Sequence, residues 1–121
     1  MEPFSIPIVI RHFTTGASVT LDMVVDTTKL FPIVPASVLH SIGVTPRIRQ
    51  VLEIVHGSIF TIDQGEVHFT VEGHTVPVLC IFGPERATPT LGRMVLDVLS
   101  LAVDEEHRRL VPVVRRLIEH G

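Results

Sequence analysis

The chain has 121 residues, 45% of them hydrophobic and 19% charged, which is enough for one folding domain and too apolar for a disordered tail. A net charge of −3 excludes a basic nucleic-acid or anionic-membrane binder, because phosphate contacts need a cationic surface, and no apolar run approaches the ~20 residues of a bilayer span. Cys80 is the single cysteine, so no internal disulfide can form and a reducing, cytoplasmic setting is expected.

The amino end, Met1-Glu2-Pro3-Phe4, lacks the basic-then-apolar pattern of a secretory signal. Met1 directly before the first strand leads to the expectation of a complete small protein. Val, Ile and Thr are abundant and fit a pleated, half-buried surface, while nine Pro and eight Gly cut the chain into short pieces. The expected class is all-β, with one or two short helices.

Phe4 to His12 alternates, with Phe4, Ile6, Ile8 and Ile10 on one face, and Pro7 argues for an edge position. Thr14 to Ala17 is a turn, and Ser18 to Asp26 is the returning strand. Pro35 to Gly43 is a short helix with Val38, Leu39 and Ile42 on one face and Gly43 as its stop. Val51 to Ile62 is a hairpin with its tip at His56-Gly57-Ser58. Two further strands, Glu66 to Val71 and Thr75 to Phe82, are joined by Glu72-Gly73-His74. A helix follows Leu91-Gly92 from Arg93 to Leu99, and short strands at Leu101–Asp104 and Leu110–Val113 flank a polar turn. Residues 114–120 read as a turn of helix or a last strand. A weak duplication, strand then loop then short helix, spans residues 21–43 and 76–99. One domain is expected over 1–121, with a core at about 4–112 and a tail at 113–121.

The residue most able to carry chemistry is Asp26, a carboxylate at the end of the apolar Val24-Val25 and followed by the hydroxyls Thr27 and Thr28. Desolvation by such a wall favours the neutral acid, and nearby donors favour the anion, so its titration is open to tuning. An Asp capping its own turn has the same local pattern. Other candidates carry less. His68 and His74 flank a hairpin without carboxylate or thiol ligands at metal spacing, and His12, His40, His107 and His120 are scattered. Ser37 and Ser41 lack a nucleophile elbow, and no glycine-rich phosphate loop is present. The arginines at 108, 109, 115 and 116 are offset by Glu105, Glu106 and Glu119, and Cys80 reads as a small buried hydrophobe.

The order of motifs resembles that of bacterial retropepsin-like aspartic proteases of clan AA. It runs from Val24-Val25-Asp26-Thr27 through Val34-Pro35 and Ile42-Gly43-Val44, then a flap-like hairpin and Thr90-Leu91-Gly92-Arg93, to Leu101–Asp104 and Leu110-Val111-Pro112. The resemblance implies an acid-protease closed barrel in which each chain supplies half of a two-fold site. It makes Asp26 the catalytic carboxylate, paired with Asp26 of a second copy in a homodimer. Thr27 and Thr28 become the active-site loop, with Thr27 linking the two loops across the two-fold axis. His56, Gly57 and Ser58 become the flap over an extended peptide or protein substrate, and Leu91 and Gly92 the support beneath the loop. Neither cofactor nor metal is implied, nor is a nucleic-acid or membrane partner. The expected activity is an aspartic endopeptidase.

The chain departs from that family at Thr28 and Lys29, where it carries Asp-Thr-Thr-Lys in place of Asp-Thr-Gly and a small residue. A β-branched Thr restricts the backbone that glycine leaves free, and Lys29 favours ionised carboxylates. Thr90 stands where the family prefers an apolar residue. These departures motivate an alternative, a catalytically silent homologue that holds peptides as a dimeric binding or scaffold module.

Overall fold

The computed structural model describes residues 3–53 and 55–114. The amino-terminal hairpin is β1 (Ser5–Arg11) and β2 (Ser18–Val25), paired in the register Ile8↔Leu21. The expected alternation holds, with Phe4, Ile8 and Ile10 buried and Ile6 half-buried against the core. Pro7 lies opposite Asp22, while β1 meets its other neighbour only from Val9 onward, so the absent N–H of Pro7 interrupts no second ladder.

After β2 the chain loops to β3 (Ile33–Pro35) and α1 (Ala36–Ser41). Leu39 of α1 is fully buried, Gly43 closes the helix at φ 83°, and the Glu85 carboxylate accepts the first-turn N–H of Ser37 at 3.1 Å. The hairpin β4 (Ile48–Glu53) and β5 (Ile59–Val71) reverses at Val55–Gly57, where the backbone of His56 is not helical. β6 (His74–Gly83) returns along β5 after Glu72 (φ 51°) and Gly73 (φ 83°), the two left-handed residues that a tight hairpin turn requires. β7 (Thr90–Leu91) leads into α2 (Arg93–Leu99), and β8 (Leu101–Asp104) with β9 (Arg109–Pro112) forms a separate two-stranded sheet.

The larger sheet has the order β1-β2-β7-β3-β6-β5-β4, and β1 also pairs with β5, which brings the far part of the order back to its start. The core lies inside this curl and includes the fully buried Ile10, Met23, Val67, Phe69 and Leu91. The duplicated segments meet at its centre. β2 pairs parallel with β7, and β3 pairs parallel with β6, so each unit completes the ladder of the other.

Two differences from the sequence reading have physical causes. The strand expected to break between Ile62 and Glu66 continues as β5, because Asp63 and Gln64 pair with Arg49 and Ile48 of β4, and Gln64 and Gly65 with Ile81 and Cys80 of β6. Gly65 belongs there because a Cβ would lie 2.8 Å from the Phe82 ring and 3.0 Å from the Thr45 carbonyl oxygen. The short strands β3 and β7 carry too few residues to show a period. The expected structure at 115–120 lies outside the described residues. No described helix is long and apolar enough to cross a membrane.

Candidate active site

Asp26 sits where β2 ends. Parallel pairing of Val24 with Thr90 and Val25 with Leu91 carries the strand up to it, and its N–H then donates to the Leu91 carbonyl at 3.3 Å. From Asp26 the chain folds into a short loop that leads to β3. Lys29 N–H closes back on the Asp26 carbonyl at 3.3 Å.

The loop is also held from below. The first two N–H groups of α2, from Arg93 and Met94, donate to the carbonyls of Lys29 and Leu30 at 2.8 and 3.0 Å. Helix starts carry unpaired N–H donors, and here loop backbone satisfies them in place of a capping side chain. Gly92 makes the approach possible, since a Cβ there would stand 2.6 Å from both the Leu30 carbonyl oxygen and the Phe31 carbonyl carbon. Leu91 beside it is fully buried.

Among the described residues the Asp26 carboxylate has two donors, both from Thr28. The Thr28 hydroxyl donates to Oδ1 at 2.6 Å and the Thr28 N–H to the same oxygen at 2.9 Å. These bonds, hydroxyl first, hold the carboxyl below its ordinary range; Lys29 adds attraction, and partial burial opposes the shift. Asp26 is therefore an anion at neutral pH.

A cleft of about 390 Å³ opens over this carboxylate, lined by Asp26, Thr27 and Thr28 together with Phe4, Val103 and Glu105. Phe4 arrives from the amino end, and Val103 and Glu105 come from the β8–β9 hairpin. That hairpin is tied to the amino end by the Arg108 guanidinium, which donates to the Pro3 carbonyl at 3.1 Å. Sequence reasoning did not place Phe4, Val103 or Glu105 at the site. They reach it through pairing and a long-range bond, and no local pattern announces either.

The residues expected to act together are only partly gathered. Thr27 and Thr28 share the cleft with Asp26, and Leu91 and Gly92 lie under the loop. His56, Gly57 and Ser58 sit exposed at the far tip of the β4–β5 hairpin and line no part of this cleft. His56 and Gly57 both have left-handed backbone, at φ 76° and 77°, which gives the tip its tight reversal. Val51 and Ile59 near the tip are 65% and 67% exposed, and they lie on the strand face that continues inward to Val67.

The remaining candidates have ordinary settings. Among the described residues no three His, Cys, Asp or Glu side chains are arranged to hold a metal ion. His68 lies beside Phe13, with ring centroids 6.3 Å apart, and His74 is exposed at the start of β6. Cys80 is fully buried, and desolvation pushes its thiol far up, which makes it inert. Ser41 spends its hydroxyl on the Val38 carbonyl at 2.6 Å. Gln64, fully buried, has neither side-chain polar atom hydrogen-bonded among the described residues.

No family model matches the chain, and no curated protein does. Solved structures do. The simian foamy virus (mac) protease, seen in solution, matches with TM-score 0.55 and 18% identity, covering 78% of this chain and 94% of its own. The EIAV protease, solved in complex with the inhibitor HBY-793, matches with TM-score 0.53 and 13% identity over 81% of this chain and 88% of its own. The chain thus has the retropepsin-like fold of these retroviral proteases.

Proposed function

We propose that the chain is a retropepsin-like aspartic endopeptidase working as a homodimer, in which Asp26 of each copy forms the acid–base pair. The observation that carries this reading is the placement of Asp26, an anion at the end of a core strand, on a loop clamped by Leu91 and the first turn of α2, under an open cleft. The circuit from β1 through β2, β7, β3, β6 and β5 is read as the closed acid-protease barrel. One Asp26 cannot supply both a base and an acid, so a second copy is part of the reading.

Two carboxylates about 3 Å apart cannot both ionise and so share one proton. The ionised member takes a proton from a water as its oxygen attacks the peptide carbonyl carbon, and the protonated member gives its proton to the carbonyl oxygen. The tetrahedral species then collapses: the C–N bond breaks, and a proton passes to the leaving nitrogen. Thr27, exposed beside Asp26, is the residue that would meet its counterpart across the two-fold axis. The hairpin carrying His56, Gly57 and Ser58 would fold over an extended peptide, and the exposed Val51 and Ile59 give it an apolar underside.

A second reading is favoured by a single residue. Thr28 fills with a branched side chain the place where the resembled family has glycine, and a peptide could then be held without being cut. Incubating the protein between about pH 4 and 7 with a diverse peptide pool, beside Asp26→Asn, separates the two. Cleavage that Asp26→Asn abolishes is expected. Cleavage that survives the substitution ends the dyad reading, and peptide binding by a folded dimer without cleavage supports the silent module.

A further inference from the structure

Thr28 has a side chain that glycine lacks, and that side chain is committed. Its hydroxyl and its own N–H both end on Oδ1 of Asp26, at 2.6 and 2.9 Å, while Oδ2 has no partner among the described residues. A carboxylate oxygen offers two lone pairs, so two donors saturate Oδ1. A proton could enter there only by displacing one of them.

We infer that Thr28 is a positioning residue whose hydroxyl saturates Oδ1, fixes the rotation of the Asp26 carboxyl, and confines any proton shared by the catalytic pair to Oδ2. The bond is a property of the single chain; its consequence for catalysis rests on the peptidase reading. Among the described residues the other charged groups around the cleft are Lys29, Glu105 and Arg108, whose guanidinium donates to the carbonyl of Pro3 in the cleft lining. Lys29 of the same loop attracts the anion, and Glu105 of the β8–β9 hairpin lines the same cleft. β7 and the start of α2 offer Thr90, Leu91 and Gly92, and the Arg93 guanidinium faces Asp97 at 3.9 Å. The Thr28 hydroxyl is therefore the strongest local bias toward the ionised carboxylate. In the dimer it would move both limbs of a bell-shaped rate profile toward acid, because each protonation must compete with it.

The experiment uses the full chain with ¹³C-labelled aspartate carboxyls and four proteins: the natural sequence, Thr28→Ser, Thr28→Ala and Thr28→Val. Asp26 titration is followed by NMR, and peptidase rates are followed against pH on any peptide that the pool identifies. Thr28→Ala and Thr28→Val are expected to move the Asp26 titration to higher pH. Both limbs of the rate profile should follow, with a several-fold gain in rate on the alkaline side and a several-fold loss on the acid side. Thr28→Ser, which keeps the hydroxyl, should stay with the natural protein. An unmoved titration in folded Thr28→Ala overturns the inference, and so does a shift in Thr28→Ser as large as in Thr28→Ala. Should Thr28→Val fail to fold, Thr28→Ala decides. A natural chain that cuts no peptide removes the peptidase reading and leaves the titration to judge the inference alone.

Discussion

Gly92 sets the distance between α2 and the Asp26 loop. A methyl group there meets backbone at 2.6 Å, and backbone cannot rotate away as a side chain can. Gly92→Ala is expected to cost about 1–3 kcal/mol of stability, as overpacking does, and to reduce peptidase activity because the loop moves with the helix. Urea denaturation checks the first effect, and an unchanged midpoint contradicts it. Gln64 runs the other way. Its buried amide has no hydrogen bond among the described residues, and an unsatisfied buried polar group costs about 1–3 kcal/mol. Gln64→Met, similar in volume and without the amide, should raise the urea midpoint. A lower midpoint would mean that the amide has a partner. Taken alone, Gly92 looks like any helix-start glycine, and only the resemblance in motif order set it beneath the loop; Gln64 looks like a surface residue until strands distant in the chain are laid beside it. The place of Asp26, an acid ending an apolar strand before two hydroxyls, was legible as a local pattern. The bonds that tune it come from Thr28, two residues away, whereas its support comes from α2 more than sixty residues on.

Elements with a strong period announced themselves, and those made by their neighbours did not. The alternation of β1, the left-handed Glu72-Gly73 turn and the apolar face of α2 are local facts. β3 and β7 span three and two residues and exist because β6 and β2 pair with them. The β8–β9 hairpin was legible too, but not its place at the cleft. Asp104 organises its turn, accepting from the His107 ring at 2.8 Å, the His107 N–H at 3.3 Å and the Arg109 guanidinium at 3.2 Å. These partners, His107 first, hold the Asp104 carboxyl below its ordinary range. A carboxyl lowered in the folded state contributes stability above its unfolded pKa and loses it as pH falls through its folded one. Asp104→Asn should therefore lower Tm near neutral pH, and the gap should close on acidification. A gap that widens toward acid contradicts this. On the β4–β5 hairpin, Ile59→Ser should leave Tm within the small range of surface substitutions while raising KM for peptide, since Ile59 packs against little of its own chain. An unchanged KM would remove this residue from the peptide-facing surface.

At the scale of the molecule, the two duplicated units interlock through the β2–β7 and β3–β6 pairs, and one carboxylate-bearing loop results from each chain. Only the first unit ends its strand in an acid. In the second, β6 ends at Gly83 and the chain turns through Pro84, while Leu91 and Gly92, laid beside the end of β2 by the β2–β7 pairing, support the Asp26 loop. On the proposed function a single chain is half of an acid–base site, and the activity belongs to a pair. The most direct measurement mixes natural protein with an increasing share of Asp26→Asn at constant total concentration, after subunit exchange, and reads peptide cleavage. If both carboxylates of a dimer are needed, activity falls as the square of the natural fraction, because mixed dimers are dead. Activity proportional to the natural fraction would mean that one Asp26 suffices, and would contradict the account.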